Sequence, residues 1–422
     1  MGRTAQDNRD RPHPRPVERI QLSEVNVKGR LIAAAAFLLF GGMALAYAFT
    51  QLLTPQSGWQ AIEAGTDEAN CANEFVFLYE VGSGGGSASA EGRAVSALYT
   101  GACRTLFQLF HTMESFEGVT NLRDISLHPN ETLTVDGALY RAFETVQRYG
   151  DRTIYLGPVY ARYNDLFYCT DDAQLVDFDP YLSGAVREEY GAAAAFARDP
   201  QSIDLRLLGD GKVCLYVSEE YLAYARQADI DHFLDFGWLQ NAFIADEIAR
   251  VMAENGYTHG SISSYDGFSR SLDGRGLSYT QNVYDLVDGS AYPAAKMEYT
   301  GPMSIVYLRD YPANSLDGQR IYRLDSGELR TTYLDPADGL CKSAAHDLIC
   351  YSAEAGCAEI ALQAAPAFVA EALDAQALER LAQRGVQSVW CRDRVVYGTD
   401  PGLTLTNLYE ADGVRYTASL GR

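Results

Sequence analysis

The stretch at 233–257, FLDFGWLQNAFIADEIARVMAENGY, decides how this chain is read. Phe233-Leu234 is a short apolar segment that predicts a strand, and Asp235 places a carboxylate at its end. Gly237 lets the backbone turn sharply. Leu239, Phe243, Ile244, Ile248 and Met252 recur every three to four residues, which predicts a helix with one buried stripe. Gly256 closes that helix as a C-cap, and 258–264 reads as the next strand. A strand–Asp–Gly–helix junction aims a carboxylate and the free N–H groups of a helix start at one spot. Such a spot suits a phosphate, a ribose or a metal. The same pattern also describes an ordinary structural turn.

The chain around this junction has 422 residues, enough for two or three domains or one large one. At 47% hydrophobic and 21% charged it can build a full core. Its net charge of −22 argues against nucleic acid as a partner, because Lys and Arg carry phosphate-backbone binding. Residues 31–53, LIAAAAFLLFGGMALAYAFTQLL, form an uncharged apolar run. As a helix it reaches about 34 Å, the span of a bilayer with some tilt. Seven basic residues precede it, and no Lys or Arg follows until Arg93. The positive-inside rule then predicts a cytoplasmic N-terminus. The expected organisation is a disordered tail at 1–30, a transmembrane anchor at 31–53, a stalk at 54–73 and an extracytoplasmic domain at 74–422. The alternative is a cleaved signal peptide ending at Ala46-Tyr47-Ala48; a 30-residue leading tail favours the anchor. All eight cysteines lie beyond the run, which permits disulfides in an exported chain. Buried free thiols are the other reading. No CxxC spacing supports zinc.

Outward from the junction, 75–80 is strand-like, and the Gly/Ser run at 82–87 lacks the third glycine of a dinucleotide fingerprint, so it reads as a flexible loop. Helical periodicity covers 93–113. A hairpin is expected at 125–135, turning at Pro129-Asn130. Asp136 caps a helix to Tyr149, 183–198 is an alanine-rich helix, and 203–217 is a hairpin turning at Gly209-Asp210-Gly211. Ser218 caps a short helix. Strands are expected at 279–287, 303–308, 319–324, 329–334 and 347–352, a helix at 356–373, and closing strands at 390–396, 403–408 and 414–420. There is no HExxH, GxSxG or P-loop, and His232 reads as a core histidine.

Four segments, taken in order, resemble the FAD:protein FMN transferase family, the ApbE-like flavin transferases. The junction resembles that family's DLGGIAKGYAAD, with Asp235, Gly237, Leu239, Phe243, Ala245 and Asp246 in register. Gly157-Pro158-Val159 matches its GPV, although the preceding Phe-Asp is Arg152-Thr153. Asp335, Pro336 and Gly339 match (S/H)HIIDPxTG, with Thr332 at the histidine and Asp338 at the threonine. The strand and helix from 347 resemble SVTV followed by ADALATAL, which puts the family's metal-binding Asp and Thr on Glu359 and Gln363. Positions i and i+4 share one helix face, and oxygen donors suit magnesium.

The resemblance implies an α+β fold of the ApbE-like, T-fold-related kind, with mixed sheets and packed helices, and the apolar run at 31–53 predicts one N-terminal transmembrane helix ahead of it. It implies transfer of FMN from FAD to a Thr or Ser of an exported target protein, with AMP leaving. That chemistry uses a cation on the phosphates, fixed donors around the pyrophosphate and a base for the attacking hydroxyl. Carried over, Asp235, Gly237, Asn241 and Asp335 would bind the flavin nucleotide. The backbone carbonyl of Trp238 with Glu359 and Gln363 would hold Mg2+, and Thr332 would stand at the catalytic histidine. The implied partners are FAD, the target protein and the membrane, with no nucleic acid, at the cell membrane with the C-terminal domain outside. Further departures bear on this chemistry: the family's lysine is Asn241, a small residue is Trp238, the metal-binding Asp is Glu359, and Thr332 is no base at neutral pH. The alternative is therefore a catalytically silent relative that binds a flavin nucleotide or a protein. A third reading is an unrelated extracytoplasmic module, in which Asp235, Glu359 and Gln363 lie far apart.

Overall fold

Alternation along one strand sets the layers. In Met303–Arg309, Val306 and Leu308 point into one apolar cluster, while Ile305 and Tyr307 point into another. Successive strand side chains face opposite ways, so this strand is covered on both faces. A computed structural model describes residues 41–43, 57–65, 70–83, 87–411 and 413–421. The expected tail and, apart from 41–43, the expected anchor lie outside them. Among the described residues no helix is long and apolar enough to cross a membrane. Residues 56–422 form one compact unit.

A nine-stranded sheet runs through this unit in the order Gly58–Ile62, Phe75–Val81, Gly260–Ser264, Phe268–Ser271, Met303–Arg309, Asp347–Ser352, Gln387–Arg392, Val395–Gly398, Thr417–Leu420. Every neighbouring pair is antiparallel except the last, which is parallel. The helices Ala88–Leu109, Gln240–Glu254 and Cys357–Phe368 pack together on one face. A three-stranded sheet covers part of the other face, with Ser290–Thr300 between Ser278–Val287 and Thr404–Thr406. A further small sheet joins Thr132–Thr134, Lys212–Val217 and Ile203–Gly209. The expected α+β architecture with mixed sheets is what forms.

The junction helix is Gln240–Glu254, and its buried residues include Phe243, Ile244, Ile248 and Met252, as the spacing predicts. Burying such a side chain contributes roughly 1.5–3 kcal/mol, so the stripe fixes how the helix lies. Asn255 ends it, and Gly256 follows at φ +80° with its N–H on the carbonyl of Ala253. The caps expected at Asp136 and Ser218 form, and Ser183 caps its helix too, each accepting a backbone N–H.

Three expectations are corrected, and one strand is new. Phe233-Leu234 joins no sheet: both N–H groups donate to the hydroxyl of Ser126, which takes the place of a neighbouring strand. The region 125–135 is not a hairpin. Asn121 and Asp124 form a capping box that starts the helix Leu122–Leu127, and Thr132–Thr134 pairs with Lys212–Val217 instead. The stalk at 54–73 is partly folded, since Gly58–Ile62 is the edge strand of the main sheet. The long strand Ser290–Thr300 was not anticipated, because its alanines, lysine and Pro293 carry no strand signature.

Candidate functional site

Asp235 sits where two loops cross. Its N–H donates to the carbonyl of Ile154 at 2.9 Å, and its Oδ1 accepts the N–H of Gly237 at 2.7 Å. The side chain is therefore fixed two residues ahead of the turn that it closes. Gly237 has φ +53°, and a Cβ there would come within 2.2 Å of Cζ of Tyr160. Only glycine allows this turn to lie on the buried tyrosine ring. A single helical turn at Gly237–Leu239 then leads into the junction helix.

Asp235, Gly237, Trp238, Asn241 and Thr332 line one cavity of about 480 Å3. Trp238 is buried and meets Tyr333 edge-on, with ring centroids 5.2 Å apart. It forms wall and leaves the cavity open. Asn241 donates through Nδ2 to Oδ2 of Asp266 at 2.9 Å. Thr332 reaches the lining because its N–H donates to the carbonyl of Arg320 at 3.2 Å. The structure thus gathers five of the eight expected site residues.

The other three stand elsewhere. Asp335 closes its own turn, accepting from Ala337 N–H and from Nζ of Lys342, each at 2.8 Å. Glu359 accepts from Nη1 of Arg148 at 2.6 Å. Gln363 follows one turn along the same helix, and neither residue lines the cavity. The magnesium set implied by the resemblance does not fit here. Its carboxylate already holds a guanidinium, and its second side chain is a neutral amide. Among the described residues no three His, Cys, Asp or Glu are placed to hold a metal. The start of this helix is served instead by Asp246, whose carboxylate accepts the N–H groups of Cys357 and Ala358 at 2.9 Å each. Burial pushes that carboxyl upward.

The cavity also contains groups that the sequence reading missed. Arg309 sends Nη2 to both carboxylate oxygens of Asp317 at 2.9 Å and to the carbonyl of Tyr265 at 3.0 Å. Both side chains of this pair are almost fully buried. Arg320 pairs with Glu74, and its Nε lies 3.9 Å from Asp266. Residues of the lining also carry polar atoms that are buried without a partner: Nε of Arg309, Nη1 of Arg320, Oδ1 of Asp266 and Nε1 of Trp238. The one available signal was a charged pair, Arg309-Asp310, ending an otherwise apolar strand. Behind the cavity, Nε2 of His232 lies 3.3 Å from Oδ2 of Asp235, close enough for an ion pair but misaligned for a hydrogen bond.

No protein-family model and no curated protein matches this chain. Solved structures do. The flavin transferase ApbE from Vibrio cholerae is 12% identical, with 85% of this chain and 98% of that chain covered at a TM-score of 0.53. The ApbE protein from Thermotoga maritima is 13% identical, with 79% and 94% covered at a TM-score of 0.52. Identity this low speaks for the backbone arrangement alone, and so the conclusion is one of architecture: this chain has the ApbE fold, in divergent form.

Proposed function

We propose that the cavity binds a flavin nucleotide and that this chain holds the ligand without transferring FMN. The reading is carried by the unpartnered buried donors and acceptor gathered around one cavity of this fold. Buried polar groups are almost always paired, so such a set is what a polar ligand completes. Guanidinium groups such as Arg309 and Arg320 suit phosphate oxygens. A flavin edge offers both acceptors and an N–H, which suits Trp238 Nε1 and Asp266 Oδ1. The Trp238–Tyr333 wall suits an aromatic ring.

Retention without transfer rests on the replaced residues. A threonine hydroxyl at 332 is no general base near neutral pH. The amide of Asn241 is spent on Asp266, and Glu359 is held by Arg148. Transfer of FMN to a Thr or Ser of an exported protein is the second reading, favoured by the Asp235–His232 pair, a carboxylate placed to take a hydroxyl proton. In both readings the apolar run at 31–53 tethers the chain to the outer face of the membrane.

The test uses the full chain in detergent, incubated with FAD and Mg2+ and then desalted. Retained flavin without released AMP is expected. AMP release with FMN on an added acceptor peptide would establish the second reading, and neither retained flavin nor released AMP would overturn both. Asp235→Ala is expected to abolish retention.

A further inference from the structure

Cys71 lines the same cavity from a loop, and Cys103 meets it from the helix Ala88–Leu109. The N–H of Cys71 donates to the carbonyl of Cys103 at 3.4 Å, and its Sγ lies 3.3 Å from that same oxygen. With standard backbone bond lengths, this keeps the two Cα atoms within about 7 Å of each other. A disulfide bridges Cα separations of roughly 4.4–6.8 Å. Both residues are buried. The side-chain contact with Cys103 is the largest influence pushing the Cys71 thiol upward, ahead of burial. The other cysteines find different company: Cys350 meets the hydroxyl of Ser388, Cys357 the carbonyl of Ser269 and Cys169 the carbonyl of Asp165.

We propose that Cys71 and Cys103 are a disulfide-forming pair, oxidised by a disulfide-bearing oxidant. One oxidant disulfide accepts two electrons and both thiol protons and leaves as two thiols, while the Sγ–Sγ bond forms. A mixed disulfide on either cysteine is the intermediate. The bond ties the segment that carries Cys71, Asn73 and Glu74, all lining the cavity, to the helix behind it. Glu74 pairs with Arg320, so the bridge also fixes the carboxylate that positions this guanidinium.

The experiment treats the full chain with oxidised glutathione, then alkylates free thiols in denaturant and maps the peptides. Two of the eight thiols should disappear into a single Cys71–Cys103 cross-link. The oxidised protein should melt about 5 °C or more above the reduced one, as a long closed loop predicts. Cys71→Ser and Cys103→Ser should each remove both the cross-link and the gain. Eight alkylated thiols, or a cross-link through another cysteine, would overturn the proposal, and the wild-type map decides it even where a variant fails to fold.

Discussion

Replacing Asp347 with asparagine should remove a pH dependence of stability. Asp347 is 4% exposed in the middle of the main sheet. Its Oδ1 accepts the hydroxyl of Tyr311 at 2.8 Å and that of Tyr307, while Oδ2 has no partner. Burial, with the nearby charges of Asp285 and Asp310, lifts its carboxyl from 3.8 to about 7. The unfolded chain releases this proton near the ordinary value and the folded chain near 7, so between them the folded state binds more protons. The stabilisation is full below the unfolded value and is lost as pH rises through about 7. At about 1.36 kcal/mol per pH unit the whole effect has a ceiling of about 4 kcal/mol, of which about 2–3 kcal/mol falls between pH 5 and 8. Asparagine mimics the protonated acid and keeps the acceptor for both tyrosines. Urea unfolding of both proteins at pH 5, 6, 7 and 8 tests this. His346, raised by its contact with Asp310, loses stabilisation in the same direction, so the informative quantity is the difference between the two proteins. That difference should shift by about 2–3 kcal/mol across the range; parallel curves would refute the reasoning.

Asp317→Ala should cost about 3–5 kcal/mol in urea unfolding, because it strands the buried Arg309 guanidinium; a loss below about 1 kcal/mol would mean that the pair is solvated. Gly237→Ala should cost about 2–5 kcal/mol, combining the positive φ with the overlap on Tyr160, and a normal melting temperature would contradict the turn described. Arg148→Ala, at a largely exposed pair, should change stability by no more than about 0.5 kcal/mol. With no group of acidic, His or Cys side chains placed to hold a metal among the described residues, Mg2+ should leave the melting temperature of both the variant and the wild-type protein unchanged. A rise with Mg2+ in the wild-type protein would restore Glu359 as a ligand in the native chain.

The local grammar of this chain was legible in one dimension. Helices with a stripe and a cap came out where periodicity and capping placed them, as in Gly137–Tyr149, Gly184–Arg198 and Gln240–Glu254. Those signals are written within a few residues of each other. The order of four short motifs around Asp235, Gly157-Pro158-Val159, Asp335-Pro336 and the strand before Glu359 pointed to the architecture. What lay beyond reach was which charges meet. Asp235, Asn241 and Thr332 share a cavity with Arg309 and Arg320, while Glu359 turns to Arg148, 211 positions away. Electrostatic pairing acts through space over a few ångströms, and separation along the chain says nothing about it. Sequence spacing could put Glu359 and Gln363 on one helix face, but only the packing of that helix decided which neighbour its carboxylate would face.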